Sequence, residues 1–124
     1  MKDPSNPVCR TISTLLARIG DKWTVLVVMT LAAGSKRFNE LRREIPSVSQ
    51  RMLTLTLRNL ERDGLVNRTV TPSIPPRVDY ELTDLGRSLQ EPVLALSQWA
   101  LDNVETIHEA QARFDRDHGR AEAA

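Results

Sequence analysis

The sequence predicts a mainly α fold with one small β-hairpin, and three observations carry that reading. Apolar residues recur at helical spacing along most of the 124-residue chain. Strict alternation appears only twice, in Leu65 to Thr71 and Arg77 to Leu82. Between those stretches lies "TPSIPP", whose prolines have no N–H to donate to a ladder, so the hairpin has a stiff, protruding tip.

Each element follows from its residues. Ile12, Leu15, Leu16 and Ile19 make the apolar face of a first helix that carries Arg10 and Arg18 on its other face and ends at Gly20. Asp21 can cap a second segment, Trp23 to Ala32, apolar nearly all round and stopped by Gly34; cap, length and closing glycine favour a buried helix over a strand. Lys36, Arg37 and Phe38 suit a scrap of strand before a short helix from about Asn39 to Glu44, with Leu41 and Ile45 inward and Pro46 as the stop. Ser49 is a good N-cap for a helix that runs to about Asp63 and ends at Gly64. Projected at about 100° per residue, Leu53, Leu57 and Leu60 fall on one side of it and Arg51, Thr54, Arg58 and Arg62 on the other. Leu55 falls on that polar side too.

The hairpin strands come next, with Val78, Tyr80 and Leu82 on one face. Thr83 then caps a last helical region in which Leu85, Leu89, Val93, Leu96, Ala100, Val104 and Ile107 form a stripe beside Trp99. Pro92 is expected to kink this region or divide it in two. The chain therefore divides into an N-terminal arm over residues 1–8, one domain over 9–107, and a charged, alanine-rich tail over 108–124 that is expected to fray.

Composition limits the function. At 40% apolar residues the chain can build one modest core, and no run approaches the roughly 20 apolar residues of a bilayer span, so it is expected to be soluble and not in a membrane. Its first residues, Met-Lys-Asp-Pro-Ser-Asn-Pro, lack the pattern of a secretory signal, and the default expectation is a cytoplasmic location. The single cysteine, Cys9, excludes an intramolecular disulfide framework and a thiolate metal site, while His108 and His118 lie in the tail. No Ser-His-Asp set, metal cluster or Gly-rich phosphate loop appears, so no enzyme, metal or cofactor is expected. The formal charge of +1 hides an asymmetry: residues 1–33 carry 4 basic and 2 acidic side chains, residues 34–77 carry 9 and 4, and residues 78–124 carry 4 and 10. The positive excess sits around the short turn "IPSVS" and the basic helix after it, which suits an anionic partner.

Helix, helix, short helix, tight turn, exposed basic helix, hairpin and long helix, in that order, are the layout of a winged helix-turn-helix. In such a module the helix after the turn enters the major groove of double-stranded DNA with its N-terminal residues against base edges. Gln50 can pair with adenine, Arg51 with guanine, and Thr54 with a base or a phosphate; Leu55 is open between a thymine methyl and the core. Lys36, Arg37, Arg42, Arg43 and Arg58 are placed to neutralise phosphates, and Arg77 at the hairpin tip to reach the backbone or minor groove. A second class stays open, because winged helices also serve as protein-docking modules that bind no DNA; the phosphate-facing arginines are what such a version would lack.

"KRFNELRREIPSVSQRMLTLTLRNLERDGLV" followed by "PPRVDYELTDLGRSL" resembles the HxlR-type transcription regulators, relatives of the MarR-like winged-helix proteins. The likeness spans about Cys9 to Trp99, and the pairing of the two blocks is specific. It implies a homodimeric DNA-binding regulator with its N-terminal and C-terminal helices at the dimer contact, Ser49, Gln50, Arg51 and Thr54 on the recognition helix, and "TPSIPPR" as the wing. The chain departs from the family pattern at Cys9-Arg10, where Cys-Pro is common, at Gly20-Asp21-Lys22-Trp23, where Gly-Gly-Lys-Trp is common, and at Leu55, a position often polar.

The dimer contact is expected to draw on Ile12, Leu16, Leu96 and Trp99, since a reader of a pseudo-palindromic operator needs a symmetric partner; part of the long stripe must also cover the domain's own core. Cys9 lies near a helix N-terminus beside Arg10, both of which favour a thiolate, and several relatives in the family sense oxidants or electrophiles with a cysteine near this position. The other reading of Cys9 is a small buried hydrophobe. Trp23 and Trp99 are open between lining the pocket of a small-molecule effector and packing in the core.

Overall fold

The computed structural model describes residues 7–123, and side chains as far as Gly119. Most of the expected N-terminal arm thus lies outside the described residues. The elements in chain order are α1 (Pro7–Ile19), α2 (Lys22–Leu31), β1 (Lys36–Arg37), α3 (Phe38–Glu44), α4 (Gln50–Arg62), β2 (Val66–Thr71), β3 (Arg77–Leu82), α5 (Asp84–Ser88) and α6 (Gln90–Ala123). They form two compact units, one through Gln90 and one from Glu91.

The first unit is the winged helix-turn-helix that the sequence predicts. Asp21 caps α2 by accepting the Trp23 and Thr24 amides at 2.9 and 3.1 Å, and Ser49 caps α4 by accepting the Met52 amide at 3.0 Å. These caps satisfy N–H groups that a helix start leaves without a partner. The turn between α3 and α4 closes through Ser47, whose φ of 70° is the left-handed conformation that side chains other than glycine seldom adopt. That sharp step lets Ile45 and Val48, on either side of it, both reach the core.

At its other end α4 stops in a Schellman arrangement: Gly64 has a φ of 77°, its amide bonds the Glu61 carbonyl at 3.1 Å, and the Leu65 amide reaches back to Leu60 at 2.9 Å. The chain emerges into β2, which pairs antiparallel with β3 from Val66 opposite Leu82 to Thr71 opposite Arg77. β1 adds a short third strand on the far side of β3, with Lys36 opposite Tyr80 and Arg37 opposite Asp79. The core combines Val27, Val28 and Leu31 of α2, Leu41 of α3, Leu53, Leu57 and Leu60 of α4, and Val66, Tyr80 and Leu82 of the sheet. Although α2 is apolar nearly all round, its buried face is Thr24, Val27, Val28 and Leu31, and Leu26 remains exposed.

Thr83 pins the start of α5 from two directions. Its hydroxyl donates to the Gly64 carbonyl at 2.6 Å and accepts the Gly86 amide at 3.0 Å, while Gly86 lies so close to the Leu65 carbonyl that a Cβ there would collide with backbone. The last helical region is divided, as Pro92 predicts: the break falls at Leu89, since Pro92 has no N–H to offer the Ser88 carbonyl.

The second unit is α6. It spans Gln90–Ala123, 34 residues in all, and so includes the charged, alanine-rich segment from His108 onward. Its outer turns are rich in alanine, glutamate, glutamine and arginine, which lose little side-chain freedom in a helix, and Phe114 stacks on His118 one turn later at 4.0 Å. No described helix is long and apolar enough to cross a membrane.

Candidate nucleic-acid interface

The polar side of α4 is built by elimination. Its Leu53, Thr56, Leu57 and Leu60 are buried, so Gln50, Arg51, Thr54 and Arg58 face solvent. Thr54 turns its hydroxyl inward along the helix and donates to the Gln50 carbonyl at 2.8 Å, which leaves its oxygen an acceptor. Ser49 stands at the same end, with its oxygen already engaged as the cap.

Leu55 is not a core residue. It is 51% exposed, one turn after Arg51 on α4, and lines an open hollow toward α1 with Ala17 and Met52. Thr54 and Arg58 line a different hollow of about 360 Å³ on the sheet side, with Glu61, Arg68 and Tyr80.

A second concentration of charge gathers around α3 and the base of the hairpin. Arg37, Asn39, Glu40, Arg43 and Arg77 line a hollow of about 440 Å³. Within it the Arg37 amide donates to the Glu40 carboxylate at 3.0 Å, and Arg77 pairs with Asp79 at 2.9 Å. Arg42, Arg43, Arg51 and Arg58 are exposed, and among the described residues none of them makes an ion pair. Lys36 is different. Its ammonium is held by Glu44 at 3.0 Å and its side chain is only 17% exposed, so much of its charge is spent inside the molecule.

Two residues join these groups that their sequence neighbourhoods do not single out. Arg68 stands opposite Tyr80 in the ladder, hence on the same face of the sheet, beside Arg58. The alternation Val66, Arg68, Val70 is the signal that places it there. Asn39 sits among Arg37, Arg43 and Arg77 through the β1 to β3 pairing, and nothing local predicts it.

The expected dimer residues are surface residues of their own units. Leu16 is 60% and Trp99 57% exposed, Leu96 is exposed as well, and Ile12 is half-buried. Trp99 is therefore no core residue. Trp23 packs partly against the core with Lys22 4.6 Å above its ring, so neither tryptophan lines the cavity beside Leu55. Cys9 is half-buried in the first turn of α1. Among the described residues no cluster of histidine, cysteine and carboxylates can hold a metal.

A three-helix core with an exposed polar helix after a tight turn, flanked by a hairpin, defines the class of helix-turn-helix transcription regulators. The chain belongs to the HxlR-like helix-turn-helix family, whose model matches residues 18–108. It is 42% identical over 108 residues to the HTH-type transcriptional regulator YdeP of Bacillus subtilis (strain 168), covering 85% of this chain and 84% of that one. Among solved structures it is similar to the redox regulator HypR in its reduced form, with a TM-score of 0.74 and 43% identity over 80% of this chain and 98% of that one. It is also similar to diamide-treated YodB from B. subtilis, with a TM-score of 0.67 and 34% identity over 78% and 96% of the two chains. The protein is thus a transcription regulator and not an enzyme.

Proposed function

We propose that the protein is a homodimer that binds a pseudo-palindromic double-stranded operator, with α4 in the major groove and the β2–β3 hairpin along the adjacent backbone. The observation that carries the reading is the pairing of Gln50, Arg51 and Thr54 at the exposed N-terminal half of α4 with Arg42, Arg43 and Arg58, which are exposed and, among the described residues, have no carboxylate partner. Gln50 and Arg51 read adenine and guanine, Thr54 supports them, and Ser49 holds the helix start in place. Arg37, Arg42, Arg43, Arg58 and Arg77 neutralise phosphates, joined by Arg68 and Asn39, while Lys36 contributes least because Glu44 already satisfies it. Exposed Leu16, Leu96 and Trp99 support a second copy as partner, since large apolar side chains left in water favour association.

Electrophoretic mobility shift on the protein's own promoter region tests this directly, and footprinting is expected to show two half-sites about one helical turn apart with a steep salt dependence. A single unpaired half-site, or binding indifferent to salt, overturns it.

Redox response is the finer part of the proposal, supported by relatives named for redox regulation or treated with diamide and by the place of Cys9 in α1. Two Cys9 thiols of a dimer, on losing two protons and two electrons to an oxidant such as diamide, join as an intersubunit disulfide; a mixed disulfide or an adduct are the other products open to a chain with one cysteine. Operator affinity before and after diamide is expected to change in the wild type and not in Cys9→Ser. Equal responses in both assign Cys9 to packing.

A further inference from the structure

Ile74, at the tip of the β2–β3 hairpin, is 103% exposed, more than any other large apolar side chain among the described residues. A single apolar side chain in water is ordinary by itself. Its setting is not. The ladder ends at Thr71 opposite Arg77, and three of the five residues beyond it are prolines, which fix their own backbone. Ser73 braces the rest: its amide donates to the Thr71 carbonyl at 2.8 Å and its hydroxyl to the Pro75 carbonyl at 2.8 Å. A β-branched side chain, stiff at χ1, is therefore presented to solvent from a stiff loop.

The charge around it selects the partner. Arg37 and Arg77 line the same open hollow as Ile74, and residues 72–76 carry no carboxylate. An anionic surface is drawn to this end of the molecule and meets an aliphatic group first. One side chain is too small an apolar face to hold a lipid surface, which takes a helix-sized one. We propose that Ile74 is an apolar wedge that enters the minor groove beside each half-site, unstacks one base step and bends the operator, so that affinity depends on how easily that step deforms. The inference rests on the DNA-binding reading above and adds to it a residue that selects sequence without a hydrogen bond.

The chemistry fits the groove. At about 6 Å wide, the minor groove of B-form DNA admits a side chain but no helix. Apolar side chains inserted there partly unstack a step and kink the duplex toward the major groove. Pro72, Pro75 and Pro76 bring no N–H that must lose its water on entry. Arg37 and Arg77 can hold phosphates on either side, so their contacts offset the cost of unstacking. An aliphatic group reads no base edge; it favours the flexible TA and CA/TG steps over a stiff A-tract.

The test uses the full chain and a fragment of its own promoter region, with the footprinted operator set at permuted positions to report bending by gel mobility. Ile74→Ala should leave thermal unfolding unchanged, weaken operator binding roughly tenfold and remove most of the bend. Its salt slope should equal that of the wild type, because no charge is lost, whereas Arg77→Ala flattens the slope. Ile74→Leu should keep both affinity and bend; Ile74→Arg should regain affinity with a steeper salt slope but not the bend. Replacing the flanking step, scanned one base pair at a time, by an A-tract should weaken the wild type and leave Ile74→Ala indifferent. A wild-type complex that is straight, a bend that Ile74→Ala retains, or a wild type indifferent to every flanking step overturns the wedge alone. Failure of the wild type to bind the fragment at all overturns the operator reading and the wedge with it. Ile74-dependent binding to vesicles of anionic phospholipid, with operator binding unaltered in Ile74→Ala, assigns the tip to a lipid surface and overturns the wedge as well.

Discussion

α1 and α4 are both amphipathic helices of 13 residues in the same unit, yet α4 buries four side chains and α1 buries none. In α4 the leucines at 53, 57 and 60 are locked against α2 and the sheet, each stabilising the fold by about 1.5–3 kcal/mol. Its polar face is then held rigidly outward. In α1, Val8, Leu15 and Leu16 stay in water while Ile12 and Ile19 are half-buried, and the Arg18–Asp63 pair ties the helix to the C-cap of α4. Amphipathicity alone does not say which helix belongs to the core. It says that each needs a surface, and the fold supplies one for α4 only.

The largest test of that contrast is a pair of truncations. Leu57→Ala should destabilise the unit by about 2–5 kcal/mol, because it empties a fully buried position. Leu16→Ala should cost the monomer less than about 0.5 kcal/mol, and denaturant titrations at two protein concentrations separate the cases. A large loss for Leu16→Ala that is independent of concentration would place α1 in the monomer core after all.

Trp99→Ala comes next. With its ring exposed, monomer unfolding should hardly change, whereas dimer affinity should fall by about 2 kcal/mol or more if the ring anchors the contact. Analytical ultracentrifugation reads the second effect, and an unchanged dimer removes Trp99 from it.

On the polar face of α4, Arg51→Ala should cost about 1–3 kcal/mol on the preferred operator and relax base preference, while Arg77→Ala weakens all sequences more evenly and flattens the salt dependence. Matched and mismatched operators decide; equal losses for Arg51→Ala on both mean that it touches phosphate only. Ser49→Ala, which removes the α4 cap, is expected to lower stability by about 1 kcal/mol. The smallest effect belongs to Asp63→Asn, about 0.5 kcal/mol or less, since the pair with Arg18 is partly exposed. A loss several times larger would mean that α1 is docked by that pair.

Much of the fold can be read along the chain because its determinants are local. Asp21, Ser49 and Thr83 cap the helices that they are expected to cap; Gly64 ends α4; the prolines of "TPSIPP" confine the ladder to Thr71 and Arg77 at its tip. The extent of α6 is less legible: the apolar period fades at His108, but residues of high helix propensity continue past it, and α6 is helical to Ala123.

The sequence by itself determined which residues are charged, which face of α4 is apolar, and where the turn must fall, since these depend on residue type and on spacing within one element. Only the tertiary structure decided what stands opposite each face. A helical projection puts Leu55 beside Arg51, and only the fold shows that α1 stands next to it, so that Leu55 lines a hollow with Ala17. Composition counts Lys36 among the cations, but Glu44, eight residues on, takes its charge. Asn39 and Arg68 reach the arginine clusters only through pairing with β3. Periodicity fixes an angle about one helix axis, whereas a partner at that angle depends on the path of the whole chain, and that path is set by the packing of the core.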